Sequence, residues 1–230
     1  MMGLFAEMGP CSLSKDNLHT IPNPYSWHNN ASVIFLEQPA GTGLATLLPG
    51  TPYPATHLEG AIDFQTFLNI FFDEIFPGMA GLPLHIAGES FGGHYVPAYT
   101  HHILESRRGK HTDSFQGNIS SIILVNAVID GTAAHLGEYE LLCKGKTGPI
   151  FNASTCATML SLLPECEQLN SACLDTYDKG VCLEATTTCG EGIGRFYTIE
   201  QEAGLRSPFN SRSLVGTAAA IYIESHSSVI

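Results

Sequence analysis

A serine hydroxyl serves as a nucleophile only where the chain turns sharply enough to expose it, and one stretch here has the residues for such a turn. In Gly88-Glu89-Ser90-Phe91-Gly92 a serine stands between glycines two positions away on either side, a match to the G-x-S-x-G elbow. An oxygen presented in this way attacks acyl carbons. It needs an imidazole to take its proton, a carboxylate to orient that imidazole, and N–H donors for the oxyanion. The amide N–H of Phe91 is the candidate for one donor. Glu89 and the isolated Glu7 suggest a second function. Two carboxyls brought together resist double ionisation, so one keeps a proton and can donate to a substrate carboxylate. Such a pair would select free chain ends and work best in acid, although from its sequence context Glu7 reads more readily as a solvated surface acid.

The remaining catalytic parts are harder to find. The histidines after the serine are His94, His101, His102, His111, His135 and His226. His94 lies one helical turn past Ser90 on an element pointing away from it, the next three lie towards the far end of that helix, and His226 is close to the terminus. No aspartate and histidine stand out in the order that an elbow serine requires. The second oxyanion donor normally comes from an earlier glycine-rich loop, and none precedes the first strand.

The elements that must hold Ser90 are clearer. Leu82 to Ala87 reads as a short buried strand, and Tyr95, Val96, Tyr99 and Ile103 recur at helical spacing after the elbow. Gly60 to Phe76 predicts a helix with an aromatic stripe, stopped by Pro77-Gly78. Ser32-Val33-Ile34-Phe35-Leu36 predicts an interior strand, and Ile119 to Asn126 a third. Strands alternating with helices give an α/β class with a parallel sheet. Beyond about His135 cysteines and short amphipathic pieces take over, which predicts a helical excursion pinned by disulfides. The expected divisions are 1–134, 135–190 and a weakly patterned tail, 191–230, whose apolar run Val215 to Ile223 fits a strand or a short helix.

The chain has 230 residues, 44% of them hydrophobic, with a formal charge of -12, which argues against nucleic acid or an anionic membrane as partner. No apolar run is long enough to span a bilayer. Six of seven cysteines, Cys143, Cys156, Cys166, Cys173, Cys182 and Cys189, crowd into one segment without CxxC spacing or intervening histidine, so disulfides fit better than zinc. Sequons at Asn30, Asn118 and Asn152 suit the same oxidising compartment. The start, Met1-Met2-Gly3, shows no secretory signal. The expectation is therefore that an N-terminal part is missing.

Taken together these residues resemble the serine carboxypeptidase family, in particular its fungal, carboxypeptidase Y-like branch. Gly3 to Pro10 resembles the segment that follows the family's Gly-Gly-Pro-Gly loop. Asn23-Pro24-Tyr25-Ser26-Trp27 with Val33 to Pro39 resembles its next signature, and Gly88 to Tyr95 its nucleophile block, usually written with Tyr at Phe91 and Ala at Gly92. The resemblance implies an α/β-hydrolase fold, incomplete here, with Ser90 as nucleophile, the Phe91 N–H in the oxyanion hole, and Glu7 with Glu89 recognising the substrate's terminal carboxylate. It implies the bridges Cys143–Cys156, Cys166–Cys189 and Cys173–Cys182, with the partner of Cys11 lying beyond this chain. It implies peptide or protein C-termini as substrates, no cofactor or metal, and a vacuolar or extracellular location. The family's Asn-Gly-Gly-Pro-Gly loop and its late aspartate and histidine have no counterpart here, and Gly43-Leu44-Ala45-Thr46 stands for its Gly-Phe-Ser-Tyr. Cleavage of C-terminal peptide bonds through a Ser90 acyl-enzyme is thus expected to be very weak or lost. The alternatives are an inactive peptide-binding relative or a non-functional truncated product.

Overall fold

Two short extended pieces near the start of the chain, Cys11–Leu13 (β1) and Thr20–Pro22 (β2), pair antiparallel with Cys11 opposite Pro22. Nothing in their composition announced a hairpin. The computed structural model describes residues 3–15, 18–145 and 148–196, in two compact units, Met1–Ile129 and Asp130–Ile230. The apolar run Val215 to Ile223 and His226 lie outside the described residues.

The first long helix, His57–Asn69 (α1), begins with a reciprocal cap. The Thr56 hydroxyl accepts from Glu59 N–H, and the Glu59 carboxylate accepts from Thr56 N–H. Its buried stripe is Ala61, Phe64 and Leu68, extended by Phe72 in the wider π-helical turn Ile70–Ile75. This stripe packs on Val96, Tyr99 and Ile103 of the helix after the elbow, Gly92–Arg108 (α2). Between the helices runs Leu84–Glu89 (β3), which pairs in parallel with Ile119–Val125 (β4) from Leu84 opposite Ile119 to Glu89 opposite Val125. Ile86 of β3 is buried in the same core.

Arg107, near the end of α2, directs the chain back into the sheet. Its Nε donates to Phe115 O and one terminal nitrogen to Gly117 O, 2.6 Å away, while the guanidinium lies over the Phe115 ring. The last turn of α2 therefore contains the tie that leads the chain into β4.

The strand expected over residues 32–36 does not form. Ile34 is 43% exposed and Leu36 37% exposed, and no described sheet includes the run. β-branched composition favours extended backbone, yet a strand exists only through a ladder with a neighbour, and β3 pairs with β4 alone among the described residues.

The second unit is helical: Gly131–Lys144 (α3), Ala153–Thr176 (α4) and Lys179–Cys189 (α5) enclose Tyr139, Leu142, Phe151, Met159, Cys166, Cys189 and Ile193. The short pieces expected around Leu160 are in fact one helix of 24 residues that passes through Pro164. Disulfides Cys143–Cys156 and Cys173–Cys182 tie α3 to α4 and α4 to α5. Cys166 and Cys189 are not bonded. They are buried side by side as thiols, and burial, followed by the hydrogen bond with Cys166, pushes Cys189 up to about 12. Cys11 is also a free thiol.

Ile103 is completely buried where α2 meets α1. Ile103→Ala should cost about 2–5 kcal/mol in denaturant unfolding. The elbow offers a finer contrast. A Cβ on Gly93 would lie 2.5 Å from Val128 O, whereas one on Gly92 would meet nothing within 4 Å. Gly92→Ala should leave the unfolding midpoint near wild type, and Gly93→Ala should lower it clearly.

Candidate active site

The position of Ser90, the expected nucleophile, is built from backbone. At the end of β3 the chain enters the left-handed region at Ser90, with φ 53°, and leaves it into α2. For a residue with a Cβ this conformation is unfavourable and persists only where surrounding bonds impose it. Here the Ser90 N–H donates to Val125 O at 3.0 Å, while Ser90 O accepts from Gly93 N–H at 3.0 Å and Val128 N–H at 2.8 Å. Gly88 is needed for close approach, since a Cβ there would press on Val96 and on the Gly92 backbone. Phe91 follows as the residue before the first turn of α2, its ring 47% exposed.

Glu7 closes a π-helical turn, Gly3–Glu7, and the structure brings it to Glu89, the last residue of β3. Burial raises the Glu7 carboxyl from its ordinary 4.5 to about 7, and the charge of Glu89 and a side-chain hydrogen bond to it add to the effect. Burial disfavours the charged form of Glu7, and the neighbouring Glu89 reinforces that preference. The two residues predicted as a pair thus lie within hydrogen-bond reach of each other, despite their separation in sequence.

The signature Asn23-Pro24-Tyr25-Ser26-Trp27 holds the Glu7 segment. Asn23 Nδ2 donates to Glu7 O and to Gly9 O, both at 3.0 Å, and the Ser26 hydroxyl donates to Met8 O at 2.7 Å. Ser26 is 2% exposed, so Met8 O has its partner inside the protein. Trp27 N–H adds a second bond to Met8 O. Sequence reasoning recognised this signature as a resemblance but gave Asn23 and Ser26 no task. An asparagine and a serine among turn residues carry no local sign of a long-range carbonyl partner.

A second group missed in the sequence surrounds Phe91. His57, at the first position of α1, stacks on His94 with centroids 5.6 Å apart and planes 6° from parallel, and meets Tyr95 edge-on at 5.7 Å. Phe91 lies 4.6 Å from His94 and 5.1 Å from Tyr95. A search confined to histidines after the serine overlooks His57. His101, His102 and His111 sit towards the other end of α2 and just beyond it. His102 and His111, with Gln65 and Asp113, line a separate cavity of about 360 Å³ whose walls include neither Ser90 nor the Glu7–Glu89 pair. His135 is in the second unit, beside Glu138 at 3.3 Å.

Asn30 and Asn118 are exposed at the edges of local structure, and Asn152 is exposed as the N-cap of α4. Among the described residues no helix is long and apolar enough to cross a membrane.

Residues 1–217 match the family model described as serine carboxypeptidase. The chain is 33% identical over 205 residues to carboxypeptidase Y of Schizosaccharomyces pombe, covering 85% of this chain and 20% of that protein. It is 36% identical over 193 residues to a vacuolar serine-type carboxypeptidase of Saccharomyces cerevisiae, covering 83% and 36%. The solved structure of a prohormone-processing carboxypeptidase from Saccharomyces cerevisiae superposes with a TM-score of 0.59 at 19% identity, covering 84% of this chain and 42% of that one. The chain thus spans about a third or less of the curated relatives' lengths. With its parallel strand pair, strand-to-helix elbow and flanking helices, it has the α/β-hydrolase fold and belongs to the serine carboxypeptidase family.

Proposed function

We propose that this chain carries two of the working parts of a serine carboxypeptidase site: Ser90 as acyl nucleophile with the Phe91 N–H as an oxyanion donor, and Glu7 with Glu89 as the receptor for a peptide's terminal carboxylate. The observation that carries the reading is the hydrogen-bond contact of Glu7, partly buried and raised to about 7, with Glu89, the residue next to Ser90. A protonated carboxyl next to an ionised one can donate to a third carboxylate, which neither could do if both were charged. Attack on the acyl carbon would form a Ser90 ester and release the C-terminal residue, and water would then free the enzyme. No later aspartate and histidine in this sequence follow the family pattern, so turnover by this chain alone is very weak or absent. The same acid pair supports a second reading, a peptide-binding relative without turnover.

The disulfides of the helical unit and the relative described as vacuolar support entry into the secretory route, with a vacuolar or extracellular destination. In that setting the thiols of Cys166 and Cys189 would close a third bridge, and the sequons at Asn30, Asn118 and Asn152 would be candidates for glycosylation as the chain enters. The division into 1–134 as hydrolase core, 135–190 as cysteine-rich cap and 191–230 as tail belongs to the same proposal.

Calorimetry with a short peptide in free-acid and C-terminally amidated forms tests the site. The acid should bind and the amide should not, and equal affinity would refute the carboxylate receptor. Because the proton on Glu7 is required, affinity should hold in acid and fall as pH rises through about 7. Stability has the same sign. A carboxyl raised in the folded state contributes fully below its ordinary value of 4.5 and loses that contribution as pH rises through about 7. Glu7→Gln should flatten both profiles in that window. Asn23→Ala strands two carbonyls at a cost of about 1–3 kcal/mol, and should weaken binding of the acid peptide while Ser90→Ala leaves that binding intact. Ser90-dependent hydrolysis at a rate typical of complete peptidases would contradict the assignment of weak turnover.

A further inference from the structure

The sequon Asn152-Ala153-Ser154 is built into the start of a helix. Asn152 is exposed, its Oδ1 accepts from Thr155 N–H at 2.8 Å, and its backbone oxygen accepts from Cys156 N–H at 3.0 Å. Both bonds use oxygens and neither uses Nδ2, the atom to which a glycan would be attached. The folded chain can therefore carry a glycan at Asn152 without giving up its helix cap. It cannot easily acquire one. Ala153 and Ser154 are the first helical residues of α4, and the Ser154 carbonyl accepts from the Thr158 hydroxyl at 3.1 Å. A sequon is modified as an accessible surface loop, which a formed helix no longer is.

What forms that helix start is tertiary. A lone first turn is unfavourable, and here it is secured by burial of Phe151 and Met159, by Ile150 and Phe151 N–H bonds to Leu142 O, and by the bridge from Cys156 to Cys143. Cys156 lies four residues beyond the acceptor. Asn30 and Asn118 have no bridged cysteine comparably near in sequence.

We propose that Asn152 is an N-glycan acceptor whose occupancy is set by a race against closure of the Cys143–Cys156 bridge, an inference that rests on the secretory reading above. In the first reaction the amide nitrogen attacks the anomeric carbon of a lipid pyrophosphate-linked oligosaccharide. The carbon–oxygen bond to pyrophosphate breaks, a nitrogen–carbon bond forms, one amide proton is lost and the lipid pyrophosphate leaves. In the second, the two thiols exchange with the disulfide of an oxidoreductase, which departs as a dithiol. Once the second has occurred and α4 has started, the first is closed off.

The test expresses the full chain behind a cleavable secretory leader and maps occupancy of all three sequons by mass spectrometry of denatured protein, so that folding of a variant does not limit the readout. In Cys143→Ser, occupancy at Asn152 should rise from partial to near complete while Asn30 and Asn118 stay unchanged. Brief treatment of cells expressing the unaltered chain with a membrane-permeant reductant should do the same. Equal occupancy at Asn152 with and without the bridge overturns the proposal, as does its absence in both forms while Asn30 or Asn118 is modified. Absence of glycan from all three sequons overturns both the proposal and the secretory reading.

Discussion

A serine forced into left-handed backbone is the constraint on which the rest of the first unit depends. The conformation at Ser90 costs about 1–3 kcal/mol, and beside the Gly93 N–H bond two further bonds hold it from the neighbouring strand and the turn after it: Val125 O receives the Ser90 N–H, and Val128 N–H donates to Ser90 O. Ser90 is therefore positioned by β4 and the turn after it as much as by its own strand and helix. β4 in turn depends on the loop that Arg107 fastens through Phe115 O and Gly117 O. A basic residue in an outwardly ordinary turn thus acts on the elbow through two elements.

The acid pair is held from the opposite direction. Glu89 is fixed because it ends β3, but Glu7 belongs to a segment that would otherwise be free to move. Asn23 and Ser26 bind the carbonyls of Glu7, Met8 and Gly9, and the β1–β2 hairpin brings Asn23 back to them. Fixing the backbone this closely lets a partly buried carboxyl sit beside another without swinging away into water. Burial is the largest contribution to the raised Glu7 value, and it would vanish if the segment opened.

How much of this was legible in sequence follows from how local each feature is. The elbow, α1, α2 and β4 were readable because glycine spacing, helical periodicity and β-branched runs act over a few residues. The Ser32–Leu36 strand was misread for the converse reason: its composition is local, but its existence depends on a neighbour that sequence patterning does not supply. The 24-residue length of α4 was hidden by Pro164 and by cysteines that resemble loop punctuation, although buried Met159 and Cys166 lie on one of its faces. No spacing rule links residues as far apart as Glu7 and Glu89, so the residues alone left Glu7 open to a surface reading and the family resemblance made it the partner of Glu89. His57 was overlooked because the search assumed chain order, whereas stacking on His94 depends only on α1 lying against α2.

The adjacency of Glu89 and Ser90 has a further physical consequence for the proposed site. Neighbouring Cα atoms are about 3.8 Å apart across a trans peptide, so the carboxylate receptor and the attacking oxygen are linked by a single rigid unit. In a regular strand their side chains would point to opposite faces, but the left-handed turn at Ser90 breaks that alternation. On the proposed function, restriction to chain ends would require no separate gauge elsewhere in the molecule. Displacement of the elbow would move Glu89 and Ser90 together, and the Glu7 arm, pinned by Asn23 and Ser26, would be the part able to shift relative to them. A preference for terminal residues would on this view be a property of the elbow itself, with the rest of the fold needed to keep Glu7 in place and dry enough to hold its proton.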